Sequence, residues 1–188
     1  MRITGGVWAG RRLQLPKGPH IRPTQDQVRQ ALFNLLGETI QGARILDLFC
    51  GSGALGLEAL SRGASHVTFV DRSPFCIRAV GSNLEGLSPV TGSTTLRRSD
   101  AIQAIRRLHR AGEQFDLIFL DPPYGGNLAR KTLIALSLYV IVSTAGWVIV
   151  EHDKRDPLSE EWPGEENRLI SQRIEQYGDT ALTLYRRQ

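Results

Sequence analysis

The apolar residues of this chain follow different patterns before and after about residue 43. The segment "RITGGVWAGRRLQLP" carries short apolar runs between glycines, which predicts two short strands joined by a turn around "WAG". A helix is predicted over "QDQVRQALFNLLG", because its apolar residues recur at the spacing of one helix face. Thr24 is a suitable N-cap for this helix, and Gly37 is a suitable stop.

Strands and helices alternate along most of the remaining sequence. Five strand-like runs are "ARILDLF", "HVTFVD", "TTLRRSD", "FDLIFLD" and "GWVIVEHD", with helical stretches between them. This alternation predicts an α/β fold with a mostly parallel sheet that has helices on both faces. Two further strands, "NRLISQRIEQY" and "TALTLYRR", are separated only by "GD", so this last pair is expected to be antiparallel. The predicted sheet therefore has seven strands.

Aspartates stand at the ends of four of these strands: Asp47, Asp71, Asp100 and Asp121. A single aspartate in such a place is commonly a helix cap. The carboxyl ends of parallel strands lie at one edge of a sheet, and ligands of such folds bind outside that edge. Four acids at this edge indicate a binding site that is lined with hydrogen-bond acceptors.

The sequence "CGSGALG" follows the first strand and opens a helix. Gly51, Gly53 and Gly56 have the spacing G-x-G-x-x-G, and Asp71 lies 20 residues after Gly51, at the end of the next strand. This pattern is typical of a nucleoside-binding turn, where glycines allow close backbone approach and the acid accepts hydrogen bonds from ribose hydroxyls. A tight turn that needs only small residues is the alternative. Cys50 is interpreted as a small residue in the turn, since no partner base for a catalytic thiol is evident.

The stretch "LIFLDPPYGG" ends the fourth strand with an acid, two prolines and an aromatic ring. Pro122 and Pro123 hold the backbone extended and have no N–H, so carbonyl groups there are not readily tied into a regular ladder. Asp121 adds carboxylate acceptors, and Tyr124 offers a flat ring on which a base could stack. These groups suit an exocyclic amine, whose two protons need two acceptors. The alternative is a proline-rich turn with a helix-capping aspartate.

Composition is that of a globular domain of ordinary size. The chain has 188 residues, of which 41% are hydrophobic and 22% are charged, and no apolar run approaches the roughly 20 residues of a membrane helix. The first ten residues lack the apolar region of a signal peptide, and the two cysteines do not have metal-ligand spacing. A reduced, cytoplasmic protein is therefore expected.

Positive charge is concentrated at one end of the sequence. Residues 1–30 hold six basic side chains and one acidic one, a net charge of +5, whereas the whole chain carries +4. Because this segment also contains Trp8 and several aliphatic residues, it indicates an anionic partner. A solvated basic tail is the alternative.

Several motifs together resemble one known family. The segments "MRITGGVWAGRRL", "RPTQDQVRQALFNLL", "LDLFCGSGALGLEALSRGA", "LIFLDPPYGG" and "QYGDTALTLYRR" are similar, in this order, to the RsmD family of bacterial 16S ribosomal RNA guanine-N2 methyltransferases. The resemblance implies a Rossmann-like class I fold and methyl transfer from S-adenosylmethionine to the exocyclic N2 amine of one guanine. It implies no metal, and its substrate is 16S ribosomal RNA within the small subunit or an assembly intermediate. A monomer is the default expectation.

The resemblance also assigns roles to individual residues. The residues at the catalytic motif are Asp121, Pro122, Pro123 and Tyr124. The residues at cofactor-binding positions are Thr24, Asp47, Phe49, Gly51, Gly53, Asp71, Arg72, Ser73, Asp100 and Ala101. The residues expected to contact RNA phosphates are Arg2, Arg11, Arg12, Lys17 and Arg22. The stretches 85–98 and 156–167 match the family only loosely.

A single domain is expected over residues 1–188, with an RNA-binding hairpin and helix at 1–40 and a catalytic core at 41–188. Three other functions fit parts of the sequence. A DNA adenine-N6 methyltransferase uses the same amine-holding motif, but 188 residues leave no room for a separate target-recognition domain. In an NAD-dependent oxidoreductase, the motif "DPPY" would have no functional role. A catalytically silent RNA-binding assembly factor would not need Asp121.

Overall fold

The computed structural model describes residues 1–16, 26–123 and 127–188. The chain divides into two compact units, Met1–Ser99 and Asp100–Gln188, and each is described by itself. Within the described ranges, no helix is both long enough and apolar enough to cross a membrane.

Helices and strands alternate in the first unit. In chain order they are α1 (Asp26–Leu36), β1 (Arg44–Leu48), α2 (Ala54–Ser61), β2 (His66–Asp71), α3 (Pro74–Leu87) and β3 (Thr94–Arg98). The strands pair in parallel in the order β3-β2-β1, with Ile45 of β1 beside Val67 of β2. Most residues of β1 and β2 are buried, as expected for strands that are covered on both faces.

Helix α1 ends where the sequence predicts. Its last residue is Leu36, and Gly37 follows with a φ of +50°, a conformation that glycine adopts without strain. A short 3-10 helix, Gly37–Ile40, comes next. Thr24, the predicted N-cap, lies outside the described residues.

Residues 1–16 form the predicted hairpin, although its strand pairing is limited to one bridge. This antiparallel bridge joins Arg2 and Arg12. Ile3 and Leu13 are buried and belong to the core of the first unit. Backbone hydrogen bonds also cross the hairpin, from the Ile3 N–H to the Arg11 carbonyl at 3.0 Å and from the Leu13 N–H to the Met1 carbonyl at 3.3 Å, so backbone pairing and side-chain packing both hold it.

The second unit contains two helices and five strands among its described residues. They are α4 (Ala101–Arg110), β4 (Phe115–Leu120), α5 (Leu128–Leu138), β5 (Val142–Asp153), β6 (Glu161–Trp162), β7 (Leu169–Tyr177) and β8 (Thr180–Arg187). The strand order is β4-β5-β8-β7-β6, in which β4 and β5 are parallel and the other neighbours antiparallel. The predicted antiparallel arrangement of the last two strands is confirmed. The two-residue strand β6 is an addition that the sequence does not predict.

Strand β4 runs through the core of the second unit. Its residues 117–120 are at most 1% exposed, so both faces of the strand are covered. Val148, Ile149 and Val150 of the parallel neighbour β5 are buried in the same way. Polar residues follow both buried runs, Asp121 after β4 and Glu151 within β5, so the carboxyl ends of these two strands are the polar part of an otherwise apolar layer.

Candidate active site

The turn between β1 and α2 has an unusual backbone. Gly51 and Gly53 have φ values of +54° and +81°, which favour glycine because side chains with a Cβ are strained there. Phe49 also has a positive φ, +66°, although it is a bulky residue. Strain of this kind is concentrated at functional sites. The turn therefore has the backbone geometry of a ligand-binding loop and not only the small residues of one.

Asp47 supports this turn from its buried side. It is the fourth residue of β1, it is 1% exposed, and its Oδ2 accepts the N–H of Gly56 in the first turn of α2 at 3.0 Å. Gly53, the N-cap of α2, has no side chain with which to do this. A helix N-terminus has free N–H groups and a partial positive charge, so a carboxyl there stabilises it. Asp47 thus positions the turn without reaching its surface.

The environment of Asp47 favours its neutral form. Burial raises its pKa from 3.8 to about 7, the hydrogen bond from Gly56 opposes the shift, and the nearby charge of Asp71 adds to it. Burial likewise raises the pKa of the Cys50 thiol well above its usual range, and the carboxyls of Asp47 and Asp71 act in the same direction. A thiolate at Cys50 is therefore disfavoured, in agreement with its interpretation as a small residue in the turn.

Gly56 allows α2 to lie close to β2. A Cβ built on Gly56 would stand 2.3 Å from Cε1 of Phe69 and 2.8 Å from Cγ1 of Val67. Any other residue at position 56 would force the helix and the strand apart. The third glycine of the motif is thus a packing glycine, whereas Gly51 and Gly53 serve the conformation of the turn.

Asp71 joins the ends of two strands in the first unit. Its Oδ2 accepts the N–H of Gly51 at 3.0 Å, and its Oδ1 accepts the N–H of Ser73 at 2.8 Å. A carboxylate offers about four lone-pair sites. Besides these two bonds, Asp71 has a side-chain hydrogen bond with Cys76, so it still keeps capacity to accept a hydroxyl proton. Ser73 caps α3 by accepting the Phe75 N–H, and Arg72 is exposed beside it.

The glycine turn leaves room for a ligand at its surface. A Cβ added to Gly51 would meet only the Phe49 carbonyl oxygen, at 4.0 Å. The half-buried Asp71 stands at the same turn. Open space over a glycine, beside a carboxylate with unused lone pairs, fits the ribose of a nucleoside cofactor.

Asp100 and Ala101 begin the second unit. Asp100 is the N-cap of α4, and its Oδ1 accepts the N–H groups of Ile102 and Gln103 at 3.0 and 3.3 Å. Ala101 is buried as the first residue of the helix. Asp100 therefore uses part of its hydrogen-bonding capacity to cap α4, which is the common structural role of an aspartate at the end of a strand.

The predicted catalytic motif directly follows β4. Asp121 is half-buried, Pro122 is buried and Pro123 is exposed. Tyr124, the predicted stacking residue, lies outside the described ranges, as do Lys17 and Arg22. The three described residues of the motif thus lead from the buried strand to the surface of the second unit.

An open cleft of about 550 Å³ lies at this surface of the second unit. It is bordered by Pro122 and Pro123, by Asn127, Ala129 and Arg130 around the start of α5, by residues 151–153 of β5, and by Arg155, Asp156 and Leu158 of the loop after it. The size suits a small organic group such as a nucleobase.

Acidic neighbours neutralise the two arginines of the cleft. Arg130 donates to both carboxylate oxygens of Asp156, at 2.9 and 2.7 Å. Arg155 does the same with Asp153, at 2.9 and 2.6 Å, and this contact holds the pKa of Asp153 well below its usual range. The cleft is therefore polar without being a strongly basic surface.

The N-terminal hairpin packs on the helices of the first unit. Thr4 donates its N–H to Oε2 of Glu58 at 2.7 Å, and Trp8 donates its N–H to Oγ of Ser61 at 2.9 Å. Asn83 of α3 accepts the N–H of Gln14 at 2.7 Å and donates its amide to the Ser52 carbonyl at 3.1 Å. One asparagine thus joins the hairpin to the glycine turn.

The hairpin displays part of the basic charge that the sequence concentrates there. Arg2, Arg11 and Arg12 are exposed, and Arg11 also donates to the Gly86 carbonyl at 3.2 Å. Arg29, which contributes to the count of basic residues, is fully buried and lies 3.4 Å from the equally buried Glu58. Its charge is used inside the fold, so it is not part of a surface for an anionic partner.

Comparison with known proteins assigns the family. The sequence matches the family described as "Conserved hypothetical protein 95" over residues 1–186. The chain belongs to this family. It is 38% identical over 187 residues to the "Putative rRNA methyltransferase YlbH" of Bacillus subtilis, which covers 100% of this chain and 99% of that protein. It is 40% identical over 133 residues to the "Ribosomal RNA small subunit methyltransferase D" of Escherichia coli, which covers 71% of this chain and 65% of that protein. The resemblance to RsmD is confirmed.

Solved structures agree with this family assignment. The "Putative methyltransferase yhhF" from Escherichia coli has a TM-score of 0.81 at 31% identity, covering 100% of this chain and 98% of that chain. A structure titled "SMU.776, a putative methyltransferase complexed with SAH" has a TM-score of 0.67 at 19% identity, covering 88% of this chain and 50% of that chain, and shows a likeness of fold alone. The predicted fold class, a Rossmann-like α/β methyltransferase fold with antiparallel C-terminal strands, is confirmed.

This member of the conserved hypothetical protein 95 family also has cleft residues that the sequence reasoning missed. Glu151 lines the cleft next to Pro122 and Pro123. The sequence does contain an indication of Glu151. The strand "GWVIVEHD" carries acids at its carboxyl end, as do the four strands that end in aspartate. Outside the cleft, Asn83 and Glu58 hold the hairpin, and no sequence pattern indicates this role, because their partners lie far away in the sequence.

Proposed function

We propose that this protein transfers a methyl group from S-adenosylmethionine to the exocyclic N2 amine of a guanine in small-subunit ribosomal RNA. The first unit binds the cofactor, and the end of β4 in the second unit holds the amine. The observation that carries the proposal is the end of β4, where the two prolines that directly follow Asp121 border an open polar cleft of nucleobase size. The names of the two ribosomal RNA methyltransferases that this chain resembles support the substrate class.

The glycine turn fits the cofactor in three respects. Gly51 leaves open space at the surface, the partial positive charge at the start of α2 attracts the carboxylate of the cofactor's methionine part, and Asp71 keeps lone pairs for the ribose hydroxyls. When bound, S-adenosylmethionine supplies a methyl group that its sulfonium has already activated. Arg72 and Ser73 beside this acid, together with Asp100 and Ala101, stay proposed cofactor contacts.

At the end of β4, the chain must make a poor nucleophile reactive. The lone pair of a guanine amine is delocalised into its ring, and attack requires that the nitrogen become tetrahedral. Asp121 and the Pro122 carbonyl are proposed to accept the two amine protons, which favours this geometry. The remaining requirement is alignment, because holding nitrogen, methyl carbon and sulfur in line reduces the entropic part of the barrier. The carbon–sulfur bond breaks as the nitrogen–carbon bond forms, S-adenosylhomocysteine leaves, and the surplus proton on the nitrogen is released to Asp121 or to water.

The RNA is proposed to contact the exposed arginines of the hairpin. Arg2, Arg11 and Arg12 are suited to phosphate groups, which fix the position of the RNA without reading its sequence. The hairpin also covers the core of the first unit through Ile3 and Leu13. Removing it would therefore unfold this core, so substitution of single arginines tests the RNA contact better than truncation does.

The function is tested by incubating the protein and labelled S-adenosylmethionine with unmethylated small ribosomal subunits, with free 16S RNA or with duplex DNA, and by mapping the methyl group. We expect label on the N2 amine of a guanine in the ribosomal RNA. Label on adenine N6 of DNA would support the competing enzyme class. Cofactor binding in calorimetry, without transfer to any of these substrates, would support a silent assembly factor.

Asp121→Ala tests the proposed role of the strand end. We expect a fall in kcat of at least about a hundredfold with cofactor affinity largely kept, because the amine loses an oriented acceptor in the transition state. Asp116→Ala, at the other end of β4 and exposed, is the matched control and should retain activity. A near wild-type rate for Asp121→Ala would overturn the assignment.

A further inference from the structure

The register of β4 and β5 brings a second acid to the end of β4. Leu117 pairs with Trp147, and the pairing continues in step as far as Leu120 with Val150. Strand β4 ends at Leu120, and continuing the same register by one residue would place Asp121 level with Glu151. Paired residues on parallel strands lie on the same face of the sheet, about 4.8 Å apart. Glu151 is therefore the neighbour of Asp121 on the face that the two share.

Glu151 is a buried acid at the border of the cleft. It is 7% exposed, and its other strand neighbour, Leu182 of β8, is 1% exposed. It lines the same cleft as Pro122 and Pro123. An acid that is largely removed from water but still borders a cleft is worth more to a ligand than an exposed one, because solvent screens it less.

The Watson–Crick edge of guanine carries a matching row of donors. Its N1–H stands directly beside its N2 amine, so the two groups offer three protons in one plane. Adenine and cytosine have an exocyclic amine too, but the ring nitrogen beside it is an acceptor. A row of two acceptor positions, one for the amine and one for its neighbour, therefore distinguishes guanine from the other amino bases.

We propose that Glu151 is a specificity-determining residue that accepts the N1–H of the target guanine, while Asp121 and the Pro122 carbonyl accept the N2 amine. This inference rests on the proposed function and adds the reading of the base to it. A carboxylate opposite the N1 lone pair of adenine, or the N3 lone pair of cytosine, would be repelled. Rejection of these bases thus arises from repulsion between the carboxylate and the ring-nitrogen lone pair as well as from the missing hydrogen bond.

The test changes the hydrogen-bonding pattern of the target base and, separately, that of residue 151. The enzyme is given reconstituted small subunits in which the mapped target is either guanine or 2-aminopurine, which keeps the N2 amine but has an acceptor at N1. The wild-type protein should prefer guanine. Glu151→Gln replaces one acceptor by an amide donor, which suits 2-aminopurine. We expect the ratio of kcat/KM for guanine over 2-aminopurine to fall by roughly ten- to a hundredfold in the variant.

The ratio of two substrates on the same protein does not depend on how much of the variant is folded. Glu175→Gln is the matched control, because Glu175 pairs with the same residue, Leu182, from the opposite neighbour β7 and lies outside the cleft. Its ratio should equal that of the wild type. An unchanged ratio in Glu151→Gln would overturn the inference, whereas no transfer by the wild type to guanine would overturn the proposed function itself.

Discussion

Asp47 is a carboxyl group that the fold keeps away from water and near another acid. Its pKa of about 7 in the folded protein means that a proton is held there over a range in which the unfolded chain has released it. The hydrogen bond from Gly56 does not need the ionised form, since a neutral carboxyl still has a carbonyl oxygen that accepts an N–H. At this residue the geometry of the turn matters more than charge.

Asp47→Asn tests this balance through the dependence of stability on pH. Because the folded pKa is raised, the wild-type protein binds more protons folded than unfolded between pH 3.8 and about 7, so its stability falls as pH rises through that window. The span corresponds to roughly 4 kcal/mol at most. We expect the variant to lack this decline and to be the more stable protein above about pH 7.

Denaturant unfolding at several pH values between about pH 4 and pH 8 measures the effect. Asp116→Asn, an exposed carboxyl, is the control and should keep the wild-type decline. If Asp47→Asn loses stability with pH just as the wild type does, the raised pKa is not the source of the decline.

At the scale of elements, the position of α2 depends on contacts with two neighbouring strands. Asp47 binds its first turn from β1, and Gly56 allows it to touch Phe69 of β2. The helix has a partial positive charge at the turn where the cofactor is proposed to bind, so its placement is coupled to cofactor affinity.

Gly56→Ala should disturb this placement. The added methyl group would stand 2.3 Å from Phe69, and overpacking of this kind typically destabilises by about 1–3 kcal/mol. We expect a lower unfolding midpoint and a weaker affinity for S-adenosylmethionine, measured by thermal unfolding and calorimetry.

The control for this prediction is Gly81→Ala in α3, where the nearest atom would be Cδ1 of Leu96 at 3.9 Å, an ordinary contact. Alanine in a helix interior is favoured over glycine by about 0.5–1 kcal/mol, so this variant should be no less stable than the wild type. Equal stability of both variants would show that α2 moves freely and that its close packing is unimportant.

The sequence predicts the elements well where local signals bound them. The strand "HVTFVD" coincides with β2, and "SPFCIRAVGSNLEGL" contains α3 with Ser73 as its cap and Pro74 in its first turn. The strand β6 has only two residues and exists through pairing with β7, so no local pattern predicts it. The hairpin likewise depends on contacts with Glu58 and Asn83, far away in the sequence.

The site, too, is predictable from the sequence only where its signals are local. The spacing of the glycines and of Asp71 identifies the turn, because this geometry is encoded within some twenty residues. The sequence groups Asp47 with the surface acids, but burial gives it a different role. The sequence places Glu151 at a strand end, but its position beside the end of β4 follows only from the register of β4 against β5.

At the scale of the whole molecule, several arginines are paired with acids inside the first unit or at the cleft. Arg29 lies beside Glu58, and Arg130 and Arg155 are paired with Asp156 and Asp153. The exposed arginines of the hairpin are proposed to contribute to the attraction to phosphates, together with other exposed arginines such as Arg72, Arg106 and Arg107.

Arg12→Gln tests this attraction. Each phosphate contact that is lost lowers the slope of log K against log salt by about 0.7–0.9, so the variant should bind the subunit more weakly at low salt and with a smaller salt dependence. Binding titrations at several salt concentrations measure the slope. Arg173→Gln, an exposed arginine of β7 that pairs with Glu175, is the control with an expected wild-type slope. Equal slopes for both variants would exclude Arg12 as a phosphate contact.

The contact between Gly56 and Phe69 also restricts the routes by which related sequences can diverge. A methyl group added at position 56 overpacks the protein and costs about 1–3 kcal/mol, whereas loss of the ring at position 69 leaves a cavity and costs about 3–5 kcal/mol. Each change alone is therefore destabilising, and the two together compensate in volume. Substitutions at these two positions are therefore expected to occur together in related sequences.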